Sequence, residues 1–222
     1  MISISISNLI YDACPQFVSV QLECNVKNND YNESLWLEIE SFINDYQKTN
    51  KIKDINKHPS ILATRNTYKK LGKDPNRYRP SAEALRRRIL KGAELYKINT
   101  IVDAINLISL KTGHSIGGFD ADLIKGSLEL GVGQKDEQFE AIARGFLNIE
   151  GLPVYRDDIG GIGTPTSDEE RTKISLNTHR LLMLMNAYSG KAGLEEAMEY
   201  AKYILEKYLG AEDIKIRKIE RE

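Results

Sequence analysis

The 222-residue chain is poor in cysteine, histidine and tryptophan, with two, three and one of each. Each scarcity excludes something. Cys14 and Cys24 match no CxxC or other metal-ligand spacing, and two cysteines are too few for a disulfide scaffold. They read as reduced thiols in a cytoplasmic protein. With only His58, His114 and His179 available, no zinc site is expected, and no cofactor is implied. No run approaches the ~18 uninterrupted apolar residues of a membrane span. The N-terminal stretch MISISISNLIYDACPQF lacks the basic start and small-residue cleavage site of a signal peptide. A membrane partner is therefore not expected. Charge of one sign is also lacking overall, since the net charge is −1.

That near-neutrality hides an asymmetry. The window 65–97 holds eleven Lys/Arg against three Asp/Glu, a balance of +8 that leaves −9 on the remainder. Segregated charge of this kind either steers a polyanion to one face or forms a solvated basic helix. With 41% hydrophobic and 28% charged residues, the composition is that of a globular protein with a sizeable core.

Periodicity predicts both element types. Ile2, Ile4 and Ile6 alternate with serines as an edge strand, and residues 16–26 read as a second strand. Asn32 caps a predicted helix reaching about Tyr46. Further helices are expected over about Pro59 to Leu71 and from Pro80 to a stop at Gly92. Asn99 or Thr100 opens a helix to about Lys111, which Thr112-Gly113 ends. It is apolar around most of its girth and so buried on most sides, with Asp103 and Asn106 needing partners if buried. Gly117-Gly118 reads as an exposed turn after it. Strands are expected around 127–132, 153–157 and 179–188, with a glycine-rich loop over 157–168. The helix from Leu194 stops at Gly210, and a terminal strand carries Ile214, Ile216 and Ile219. The fold class is therefore α+β.

The run IVDAINLISLKTGHSIGGFDADLIKG resembles the central motif of the B3/B4 domain of the phenylalanyl-tRNA synthetase β subunit. Asn99, Val102, Asp103, Asn106, Gly113, Phe119, Asp120, Asp122 and Gly126 stand at matching positions. Upstream, YRPSAEALRRRILKG is similar to stand-alone B3/B4 proteins through Arg79, Pro80, Ser81, Glu83, Ala84, Leu85 and Arg88. The resemblance covers roughly residues 60–190. It implies one B3/B4-like domain over residues 1–222, with segments 1–57 and 193–220 packed on that core. It also implies mixed and antiparallel strands in a sandwich of unusual topology, flanked by helices.

The resemblance further implies a function. In the synthetase this domain edits, hydrolysing tyrosine wrongly esterified to the phenylalanine tRNA. The implied partners are the tRNA acceptor end and an amino acid, with no DNA specificity. A substrate pocket is expected at His114, Gly117, Gly118, Gly160, Gly161 and Thr164, because glycine lets a backbone approach a ligand closely and backbone N–H groups stabilise an oxyanion. The alternative for these glycines is tight turns alone. Arg77, Arg86 and Arg87 are expected to meet RNA phosphate, and Arg79 and Arg88 to be structural, paired internally with Glu83 or Asp103. No catalytic residue is assigned. The chain departs from the synthetase in two places. Gly117 replaces a histidine two residues before Phe-Asp, and Met183, Leu184 and Met185 occupy the place of the glutamate that reads a tyrosine hydroxyl. Three activities follow: a trans-acting hydrolase of mischarged aminoacyl-tRNA, a non-catalytic tRNA-binding module, and an amino-acid sensor. All need the buried helix ending at Thr112 to brace one hollow shared by the two glycine segments.

Overall fold

The computed structural model describes residues 1–221. Two four-stranded sheets form its frame. The first has the order β1 (Ile4–Ile6), β4 (Leu128–Val132), β7 (Pro153–Arg156), β8 (Gly161–Gly163), with β1 parallel to β4 and the other pairs antiparallel. The second is antiparallel throughout, in the order β10 (Glu212–Ile219), β2 (Val18–Asn25), β9 (Arg180–Ala187), β3 (Ser115–Asp120). A short hairpin of β5 (Glu140–Ala141) and β6 (Gly145–Phe146) stands apart. Six α-helices complete the fold: α1 (Asn8–Ala13), α2 (Glu33–Thr49), α3 (Pro59–Lys70), α4 (Ser81–Leu90), α5 (Thr100–Thr112) and α6 (Leu194–Leu209).

The period of two along β9 explains the layering. Leu182 and Leu184 join Phe119, Leu128, Leu130, Tyr155 and Ile162 in a core between the two sheets. Leu181, Met183, Met185 and Ala187 point the other way, into a core with Val20, Leu22, α2, α5 and α6. A strand apolar on both faces has to be central, as β9 is. β2 differs because its sheet-facing positions are polar. Ser19 Oγ and Asn186 Oδ1 both bond the buried Tyr155 hydroxyl, at 2.7 and 3.0 Å.

Helix α5 fills the space that its apolar girth predicts. Ile101, Ala104, Leu107, Ile108 and Leu110 are fully buried. Asn99 caps it by accepting from the Val102 N–H at 3.0 Å, and Gly113 ends it in the left-handed conformation, φ +79°. Asp103 finds its partners in the Trp36 indole N–H and the Ile98 N–H.

Two expectations need correction. Gly117-Gly118 is not an exposed turn but the buried middle of β3, paired with Leu184 and Met183. Phe119 fills the inter-sheet core, so the chain cannot turn there. Residues 157–168 are not wholly a loop either. Gly161–Gly163 pairs with β7, which pulls the second glycine segment into a sheet.

Candidate functional site

The outer edge of β3 faces a small cleft, because β3 is paired on one side only. The cleft has a volume of about 140 Å³. α4 and α5 wall it with Leu85, Val102 and Ile105, and Ile116 and Ile174 add further aliphatic surface. Ser81, Asn106, Ser109, Gly118 and Asp168 supply its polar atoms.

Asp168 is the charged group of the cleft. Gly118 N–H donates to its Oδ2 at a long 3.4 Å. Burial pushes its carboxyl up from 3.8 to about 7, only partly offset by the Gly118 N–H. No cation stands against it among the described residues, because the neighbouring ones are engaged elsewhere. Arg171 forks onto Asp157 with two bonds of 2.9 Å, and Lys173 pairs with Glu170. The Asp168 backbone is held on both sides: its carbonyl accepts from the Ile142 N–H at the β5–β6 hairpin, and it bridges Gly163.

The two glycine segments meet at this carboxylate. A Cβ on Gly117 would stand 2.7 Å from the Phe119 ring and 3.4 Å from Asp168 Oδ1. One on Gly163 would stand 2.5 Å from the same ring and 2.8 Å from the same oxygen. A Cβ on Gly118 would run into Ile105 and Ile174, across the cleft. These three positions are glycine because ring, carboxylate and cleft leave no room for a side chain.

The other predicted pocket residues lie elsewhere. Gly161 packs on Phe139, and Gly160 closes the Asp157 turn by donating to its Oδ1. Thr164 turns its hydroxyl inward, accepting from the Thr166 and Ser167 N–H groups and bonding the Ser167 carbonyl. It is a turn cap. His114 is buried behind the start of β3, its Nδ1 without a partner, and its carbonyl accepts from Ser109 Oγ. Burial, together with Arg86, brings both His114 and His58 down to about 4, so both rings are neutral. Neither Asp168 nor Asn106 stands among the pocket residues expected from the sequence. Asn106 in fact reaches the cleft and needs no buried partner.

The arginines are placed differently from expectation. Arg86 is 2% exposed, and its Nε and Nη2 both donate to the Leu110 carbonyl. It satisfies a helix end that would otherwise be orphaned. Arg87 pairs with the fully buried Glu83 at 2.7 Å and donates to Asn56. Arg65 and Arg79 converge on the same carboxylate at 2.8 and 3.3 Å. Arg86 and Arg87 are thus internal, as Arg79 was expected to be. Arg88 bonds the Glu94 carbonyl and lies over Tyr96. Arg77 alone of the three proposed RNA contacts is exposed, beside Tyr78.

No described helix is long and apolar enough to cross a membrane, and no cluster of metal-ligating side chains occurs among the described residues. No curated protein matches the chain. Among solved structures, it is similar to an N-terminal fragment of the phenylalanyl-tRNA synthetase β-subunit from Pyrococcus horikoshii, with a TM-score of 0.47 and 14% identity. The match covers 97% of this chain but 50% of that one, so the chain spans about half the fragment's length. The profile of the B3/4 domain matches residues 63–210, two thirds of the sequence, including α4, α5, β3 and Asp168. The chain therefore belongs to the B3/4 domain family.

Proposed function

We propose that the chain receives the aminoacylated 3′ end of a tRNA, holds the aminoacyl group in the cleft beside Asp168, and hydrolyses its ester. The observation that carries this reading is a cleft at the free edge of β3 that Gly118 lines, with Gly117 and Gly163 close against the Asp168 carboxylate at its wall. The volume, about 140 Å³, is close to that of cavities of roughly 150 Å³ that hold one benzene. An amino-acid side chain fits such a space and an adenosine does not, so the nucleotide would lie at the mouth. The Gly118 N–H, held only by a 3.4 Å bond, is the donor best placed for the carbonyl oxygen of the ester as it gains charge.

The acting unit is the whole chain. Segments outside 63–210 supply β1, β2, α2 and β10, and β2 flanks β9 in the sheet that carries β3. A tRNA substrate would place the chain in the cytoplasm. Tyrosine is not the favoured amino acid, because reading its hydroxyl needs a buried polar partner. The family position for that partner lies in Met183, Leu184 and Met185, all of them buried.

Release of label from a panel of mischarged tRNAs tests the proposal. Hydrolysis above buffer is expected for a tRNA carrying a small aliphatic amino acid, and its loss in Gly118→Val, whose side chain enters the cleft. No release from any tRNA by the folded chain would overturn it. A second reading, amino-acid binding without RNA, is favoured by the internal use of Arg86 and Arg87. Amino-acid binding with no tRNA hydrolysis would select it.

A further inference from the structure

We infer that Asp168 is the counter-ion for a free α-ammonium group, so that the cleft selects aminoacyl groups with an unblocked amine and an aliphatic side chain. This rests on the reading that the cleft holds an aminoacyl group, and adds which end of it the chain recognises and what it rejects.

Three features of the geometry support the assignment. The carboxylate has one weak donor and no cation, whereas other buried acids are satisfied from within: Glu83 by three arginines, Asp157 by Arg171, and Asp103 and Asp120 by two hydrogen bonds each. A charge half removed from water and left without a partner carries a cost, and a ligand that brings the cation removes it. The backbone on both sides of Asp168 is fixed by the β5–β6 hairpin and by β8, so the carboxylate is positioned before any ligand arrives. Finally, Ser81, Asn106 and Ser109 are the other polar side chains on the wall, all of them neutral, and the five aliphatic residues around them leave no second charge to pair with a charged side chain. An ammonium on Asp168 also releases the Gly118 N–H toward the adjoining carbonyl. One residue thereby ties amine recognition to ester polarisation.

The same carboxyl has a competing use. Protonated, it would donate a hydrogen bond to a neutral ligand, and a blocked amine would then bind as well as a free one. The two uses give opposite results with L-valinamide and N-acetyl-L-valinamide, which share the side chain and differ in the amine. Binding to the full chain at pH 7.5 is followed through the Gly118 amide resonance. L-Valinamide is expected to bind saturably, about tenfold or more tighter than its acetylated form, as a charge-assisted bond requires. Asp168→Asn, nearly the same size, should retain the wild-type spectrum elsewhere and lose the preference.

Equal binding of the two amides, a preference that survives in Asp168→Asn, or no binding of either would each overturn the inference. The outcome separates from that of the hydrolase reading. Hydrolysis of valyl-tRNA and N-acetylvalyl-tRNA at the same rate would leave the hydrolase standing and remove the ammonium site. Amide selectivity with no tRNA hydrolysed would do the reverse.

Discussion

Glu83 is a fully buried carboxylate and Asp168 a half-buried one, and their surroundings differ. Glu83 is 0% exposed and meets Arg65, Arg79 and Arg87. Those arginines also bond Asn56, Pro75 and Asn76, so α3, α4 and the connections around them are tied through one side chain. Asp168 meets a single backbone N–H at 3.4 Å and opens onto a cleft. A network with every partner supplied from within rigidifies a fold and has nothing left for a ligand. A half-buried charge left open is a place where stability has been given up, and such places concentrate at functional sites. The basic window that looked like an RNA surface is mainly the first kind of structure.

The contrast can be broken most forcefully at Glu83. Glu83→Gln leaves three guanidinium groups without a counter-ion, and removing one partner of a buried pair costs about 3–5 kcal/mol. Urea denaturation should register that loss. A change below about 1 kcal/mol would mean that the cluster behaves as a surface pair and is not a structural hub.

Asp168→Asn should act with the opposite sign. The folded chain holds the Asp168 proton up to about pH 7, whereas an unfolded chain releases it near pH 3.9. Its contribution to stability is therefore fully present below that lower value and is lost as pH rises through about 7. The variant should match the wild type at pH 4 and exceed it by roughly 2 kcal/mol at pH 8, a figure discounted for partial exposure. His58 and His114 titrate the other way. Their depressed values, about 4, remove stability as pH falls below the unfolded value of about 6.5. Comparing variant and wild type at one pH cancels that term. A difference independent of pH would show that Asp168 is ionised like any surface carboxylate.

The smallest effect concerns RNA. Arg77→Ala should lower the slope of log Kd against log salt for tRNA by about one unit. Arg87→Ala should leave the slope unchanged while reducing stability. The reverse result would place phosphate on the α4 face.

Most elements were legible from local chemistry. Asn32 and Asn99 as caps, Gly113 and Gly210 as stops, and the two-sided apolar strand β9 follow from spacing alone. Gly117-Gly118 did not, because a glycine pair signals a turn unless a long-range contact demands otherwise. Here the Phe119 ring, wedged against Gly117 and Gly163, makes that demand across 44 residues of chain. The arginines misled for a similar reason. Glu83 was visible as a possible partner, but nothing local shows that one carboxylate takes three guanidiniums, or that Arg86 turns in to the end of α5. Asp168 stands at the end of a predicted loop, with Arg171 three residues further on. Only the fold shows that Arg171 reaches Asp157 instead and leaves Asp168 alone.

The most direct test of an uncompensated carboxylate awaiting a cation is its own titration. Carbon-13 NMR of the Asp168 carboxyl in the free chain should give a midpoint near 7, falling into the ordinary carboxylate range when L-valinamide is bound. A midpoint near 4 in the free chain, unmoved by the amide, would contradict the account.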